Sequence, residues 1–152
     1  MATPLTRLAE LGITLPDVVP PLASYVPAVR TGSLVFTSGQ LPILDGKLIA
    51  TGKVGGSVDA DAARGLARTC ALNALAAIHA LVGLDSVARV VKVVGFVAST
   101  PDFTGQPGVV NGASEFLGEV FGAAGAHARS AVGVAVLPLD APVEIELVVE
   151  LA

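Results

Sequence analysis

The sequence predicts a single α+β domain, and three observations carry that prediction. Its 152 residues match the length of one ordinary domain. A long segment of helical periodicity sits mid-chain, and segments rich in β-branched residues follow it. Read in order, the elements run ββ(β)αβαββ, with no repeat and no linker inside the domain. Hydrophobic residues at 53% and charged residues at 14% exclude intrinsic disorder, which needs low hydrophobicity and high charge.

Thr3 is placed to cap a short helix with Pro4 at its first position, ending near Gly12. Pro16, Pro20 and Pro21 then enforce an extended linker. Ala28-Val29-Arg30, the turn Thr31-Gly32 and the run Ser33 to Thr37 read as a β-hairpin. Ser38-Gly39-Gln40 interrupts its second strand, and Asp45-Gly46 makes another turn. Gly52, Gly55 and Gly56 read as a mobile loop in preference to a phosphate cradle. The long helix runs from about Asp59 to Val82, with Asp59 and Asp61 at the positive end of its dipole. Leu66, Cys70, Ala74, Ala77 and Leu81 share one face, and Gly83 is the stop. Val87 to Ser99 is a strand; Val109 to Phe121 is a second helix, weakened by Gly112 and Gly118. Ser130 to Leu137 and Val143 to Leu151 are the final strands, joined by a turn from Pro138 to Pro142.

Mean hydropathy is high, +0.75, so a membrane span has to be weighed. The longest charge-free stretch, Thr69 to Leu84, is 16 residues and holds Asn73 and His79. A span needs about 20 apolar residues, so this stretch reads as a buried helix and the chain as soluble. Nine Lys and Arg against thirteen Asp and Glu give a net charge of −4 with no basic run. Nucleic-acid binding draws most of its affinity from cations on phosphates, so this composition argues against it. The lone Cys70 has no internal disulfide partner, and Glu10 falls where a signal peptide keeps its apolar core. Both point to the cytoplasm. So many apolar residues with so few charges also predict a covered surface, and hence a homo-oligomer.

Conventional chemical motifs are absent: no Walker loop, no dinucleotide fingerprint and no zinc spacing. His79, mid-helix among alanines, reads as a structural histidine, and His127 as exposed or interfacial. The unusual residues are charges inside apolar strands: Arg129, and Glu144 and Glu146 alternating through Val143 to Val149. Burying an unpaired charge costs several kcal/mol, on the order of 3–5, so such groups are solvated or paired. One reading is a wet strand face. The other is an arginine whose planar fork clamps a carboxylate, with a glutamate in the same cleft to handle protons. The residues alone leave both open.

Several segments, in order, resemble the RidA/YjgF family, whose older name is L-PSP endoribonuclease. They are Ser38-Gly39-Gln40-Leu41-Pro42, Leu72-Asn73, Gly83 to Val87, Phe103 with Val110-Asn111, Ala128-Arg129-Ser130, and Leu137-Pro138 with Val143 to Glu146. The resemblance covers residues 24–152, leaving 1–23 as an N-terminal helix and proline-rich linker. It implies a chorismate-mutase-like fold, a β-sheet covered on one face by two helices, assembled as a homotrimer with clefts between subunits. It also implies hydrolysis of reactive enamines and imines such as 2-aminoacrylate to 2-keto acids and ammonia, without metal or organic cofactor. By the resemblance, Arg129 pairs with the substrate carboxylate and Glu144 orients the water. Tyr25, Gly39, Asn111 and Ala131 line the cleft, Ala131 standing where archetypal members often carry Cys. Tyr25 follows Ala23-Ser24 in place of Gly-Pro, and the stretch from Phe103 to Asn111 is longer than usual. These departures mark a divergent subgroup with an altered cleft mouth. The alternatives are a non-catalytic trimer that binds a small carboxylate or metabolite, and an endoribonuclease.

Overall fold

The computed structural model describes residues 2–152. Thr3 caps the first helix as its position predicts, its side chain accepting the Thr6 N–H at 3.2 Å. The helix α1 covers Pro4–Glu10, and Leu8 on its inner face is buried in the main core. A hairpin follows, β1 (Ala28–Thr31) and β2 (Leu34–Thr37). Next comes a small one, β3 (Ile43–Leu44) and β4 (Lys47–Leu48), turning at Asp45-Gly46, both at positive φ. Asp59 caps α2 (Ala60–Val82) by accepting the Ala62 N–H at 2.7 Å, and Gly83 ends it at φ 78°. The chain then forms β5 (Val87–Ala98), α3 (Gln106–Phe121), β6 (Ala128–Val134) and β7 (Val143–Leu151).

The five long strands form one sheet in the order β1-β2-β7-β5-β6. Only β5 and β6 run parallel, with α3 as their crossover. In β7 every odd position from Val143 to Leu151 is buried on the side covered by α2, and every even one is half-buried on the opposite face. That period of two is what a strand requires when one face packs and the other stays open. The fold is the expected α+β arrangement, with the helices on a single face. By length and composition alone α2 suffices to cross a membrane, yet its apolar side chains fill this core. Its buried Asn73 has a polar task there: Nδ2 donates to the carbonyls of Leu41 at 3.1 Å and Ile43 at 2.8 Å. That brace holds the segment after β2 against the helix layer.

Several expectations are corrected. The last two strands are not a hairpin: β7 inserts between β2 and β5, and residues 135–142 cross the end of β5. Central placement gives β7 two paired neighbours and lays its buried positions against α2. The strand expected over Ser130 to Leu137 is β6, two residues earlier at its start and three shorter at its end. The helix expected from Val109 begins at Gln106, because Pro107 suits a first helical turn. Leu81 is 46% exposed, since the last turn of α2 runs past the sheet. The glycine loop is tied down, with Gly52 N–H donating to Asp140 O, Val54 N–H to Ala98 O and Gly55 N–H to Val58 O. His79 is at the surface, where Nδ1 accepts the Leu84 N–H at 3.1 Å and so helps close the helix end.

Candidate functional site

Glu144 reaches the open side of the sheet because it is an even position of β7. What lies over it follows from the interruption of β2. After Thr37 the chain leaves the ladder for Ser38 and Gly39, then re-pairs as Gln40 exchanges backbone bonds with Ile145 at 2.8 and 3.0 Å. Gly39 is thereby set directly against the Glu144 side chain. A Cβ at Gly39 would lie 2.7 Å from the Glu144 carboxyl carbon and 3.0 Å from its Cγ, so only glycine admits this approach. Ser38 Oγ donates to Val26 O at 2.6 Å and fixes the turn.

These residues form the floor of a cavity of about 450 Å³. One wall is the segment Val19 to Ala23 of the proline-rich linker; Tyr25, Gln40 and Leu41 complete much of the rest. Tyr25 Oη accepts the Leu22 N–H at 3.1 Å, which leaves its own proton to donate elsewhere. Burial pushes the Glu144 carboxyl above the usual carboxylate range, and the Glu146 charge raises it further. The Cys70 thiol lies buried beneath, its Sγ 3.7 Å from Val143 O. Burial first and Glu144 second raise its pKa, so it stays a protonated, inert thiol.

Arg129 belongs to a different place. On β6 it stands opposite the buried Val93, so its side chain lies on the helix side of the sheet. There Nη1 donates to Asn111 Oδ1 at 2.8 Å and Ser114 Oγ at 3.2 Å, and Nη2 to Pro107 O at 3.3 Å. Ala131, two residues on, shares this face opposite Gly95 and packs against the core. Sequence reasoning missed Ser114 and gave His127 no partner. His127 Nδ1 lies 2.6 Å from Gly125 O and Nε2 lies 2.8 Å from Ser114 Oγ. A carbonyl only accepts, so Nδ1 carries the proton and Nε2 accepts from the serine, whose lone pairs then face Arg129. His127 stands just before β6, and because residues two apart in an extended chain share a face, the spacing His127-x-Arg129 held the signal.

The six expected site residues therefore form two groups. Tyr25, Gly39 and Glu144 meet at the cavity; Asn111, Arg129 and Ala131 meet on the other face. Arg129 pairs with Val93 and Glu144 with Phe96, two strand spacings and three residues apart. That is about 10 Å across and about 10 Å along the sheet, or about 14 Å between backbones. Within one chain the two residues therefore face opposite sides of the sheet and share no cleft. Among the described residues neither joins an ion pair, and no three His, Cys, Asp or Glu cluster as metal ligands do. A second cavity, about 510 Å³, opens at the far end of β6 between Thr100, Phe103, Gln106 and Gly133.

A family model described as "YjgF/chorismate mutase-like, putative endoribonuclease" matches residues 5–151. The chain belongs to the YjgF family. The match runs from α1 to β7 and so takes in both groups of site residues. Among curated relatives, Protein TCP17 of Trypanosoma cruzi is 46% identical over 147 residues, covering 95% of this chain and 92% of its own length. A RutC family protein of Haemophilus influenzae is 35% identical over 127 residues, covering 84% of this chain and 86% of its own length. The solved structure of Atu1372, a protein of unknown function from Agrobacterium tumefaciens, is 47% identical with a TM-score of 0.89. It covers 96% of this chain and 91% of its own. The Escherichia coli protein TdcF, solved with bound serine, is 28% identical with a TM-score of 0.66, over 90% of this chain and 94% of its own.

Proposed function

We propose that this protein hydrolyses enamine and imine intermediates of the 2-aminoacrylate type to 2-keto acids and ammonia, in clefts shared between the subunits of a homotrimer. The observation that carries the reading is the pair of half-sites, each finished and each insufficient. Arg129 has five N–H donors, and three are taken by Asn111, Ser114 and Pro107. Nε–H and one Nη2–H remain, the pair that grips a carboxylate side-on. Glu144, in its cavity, has a carboxyl with a raised pKa and no cation beside it. Within one chain the two groups lie on opposite faces of the sheet, and this reading brings Arg129 of one subunit to Glu144 of the next. The uncovered sheet face fits such an assembly: Phe36 and Val132 lie on it, each 44% exposed.

In this reading the enamine takes a proton at C3, gives one up from nitrogen, and so tautomerises to the imine. Arg129 holds the carboxylate, and Glu144 holds a water against C2. The water oxygen bonds to C2 while the C=N pair moves to nitrogen. Glu144 passes one water proton to that nitrogen, giving the carbinolamine, and then relays the hydroxyl proton to the same nitrogen, so that the C–N bond breaks and ammonia leaves as C=O forms. A group that both takes and returns a proton works best with a pKa lifted toward the working pH, which is the direction of the Glu144 shift. The chain's own residues supply each role, with no resident cofactor invoked. A reducing, cytoplasmic setting fits the free, buried Cys70.

TdcF was solved with bound serine, which favours a second reading: the same cleft holding an amino or keto acid without turnover. RNA cleavage has less behind it, given the net charge of −4 and the absence of any cation among the residues lining the Glu144 cavity. The deciding assay feeds 2-aminoacrylate from a serine dehydratase and follows keto-acid release. Acceleration by the wild type and none by Arg129→Ala is the expected result. No acceleration, with binding of pyruvate intact, selects the carboxylate binder.

A further inference from the structure

The cavity beside Glu144 holds more than 2-aminoacrylate requires. About 450 Å³ is room for about fifteen waters at 30 Å³ each, and 2-aminoacrylate has only six heavy atoms. The linker segment forms one wall of that space. Val19, Pro20, Pro21, Leu22 and Ala23 line it consecutively and offer it methyl and methylene groups. Glu144 is the one charged side chain in the lining.

The wall is held from both ends. At the start of the linker, α1 is docked by Leu5 N–H to Asp85 Oδ1 and Arg7 Nε to Glu119 O, both 2.9 Å. At its end the chain enters β1. Between them Val19 packs on the small cluster of Leu41, Ile43 and Ala141. The prolines remove backbone donors and fix φ, so the wall presents few groups that a polar ligand can use. The backbone N–H of Leu22 is already spent on Tyr25 Oη.

We propose that the Val19–Ala23 wall makes this a deaminase selective for 2-imino acids with branched aliphatic or aromatic side chains, over those of alanine size. The inference rests on the imine-hydrolase reading above and names the substrate for it. The side chain of the imine fills the space against the linker, and C2 stays beside Glu144. Each methylene buried in such a wall is worth about fourfold in binding. A leucine-derived imine carries three more carbons than an alanine-derived one, so the expected preference in kcat/KM is about 50-fold, and at least tenfold if burial is partial.

The test generates imines from leucine, phenylalanine and alanine with an amino-acid oxidase and measures kcat/KM for each with the full chain. The same ratios are taken for Leu22→Glu, a change at a residue 53% exposed that puts a carboxylate on the wall without disturbing the core. A tenfold or greater preference for the leucine imine in the wild type, lost in Leu22→Glu, supports the proposal. Equal or better turnover of the alanine imine overturns it and leaves the hydrolase reading standing. A preference that survives Leu22→Glu and a paired Pro21→Ser shows that the wall does not set it. No turnover of any imine removes the hydrolase reading, and the selectivity with it.

Discussion

Replacing Gly39 by alanine removes no functional group and changes no charge, so it isolates the placement of Glu144. The new Cβ would lie 2.7 Å from the Glu144 carboxyl carbon, where carbon atoms ordinarily rest about 3.5–4.0 Å apart. The carboxyl must therefore move by about 1 Å. In a site that positions a water, a displacement of that size costs up to about 100-fold in rate. Stability moves the other way. Gly39 is not at positive φ, so alanine fits the backbone and restricts the unfolded chain, a gain of about 0.4–1 kcal/mol. Glu144 is half-buried and can turn toward water. The expected outcome is a kcat for 2-aminoacrylate or its bulkier analogues lower by about two orders of magnitude, with a melting temperature unchanged or slightly raised. The acid limb of the pH–rate profile should also shift down, because a carboxyl released from burial returns toward its ordinary pKa. A kcat within threefold of wild type, with the melting temperature maintained, would refute the role assigned to this contact.

Arg129→Lys keeps the charge but loses the side-on fork. Losing one charge-assisted hydrogen bond of about 1.5–3 kcal/mol should lower kcat/KM by about 10- to 150-fold, and steady-state kinetics would show it. In α3, Gly112→Ala should destabilise, because its Cβ would lie 2.8 Å from the Arg64 carbonyl carbon of α2. Overpacking of about 1–3 kcal/mol outweighs a helix-propensity gain of about 1 kcal/mol. Gly118→Ala, with nothing within 4 Å, should instead stabilise by about 0.5–1 kcal/mol; urea denaturation of both variants compares the signs. Glu144 has a folded pKa raised above its unfolded value, so the folded state holds the extra proton between the two. Its contribution favours folding below the unfolded pKa and is lost as pH rises through the folded one. Glu144→Gln should remove that slope, so the variant gains on wild type as the pH is raised from acid toward neutral.

Most of the local elements were legible in the sequence, because their causes are local. Thr3 and Pro4 start α1; Asp59 caps α2, and Gly83 is free to turn left-handed and end it. The alternation Val143, Ile145, Leu147, Val149 told which side of β7 would be buried before any partner was known. The residue types of the site were legible too, since a charge in an apolar strand has to be solvated or used. Which strand lies beside which is a different kind of fact. The short connection after β6 suits a hairpin, but the competition for two-sided pairing and helix cover drew β7 to the centre, between β2 and β5. That choice put Glu144 under Gly39 and left Arg129 on the far face with α3. The linker, read as mere extension from its prolines, became a cavity wall only once α1 had docked on the helix layer. Periodicity acts over a few residues, whereas these contacts join positions far apart in the chain, as between Thr37 Oγ1 and Leu147 N–H, 110 residues apart. Their partners are selected by the packing of the whole chain, and so only the tertiary structure decided them.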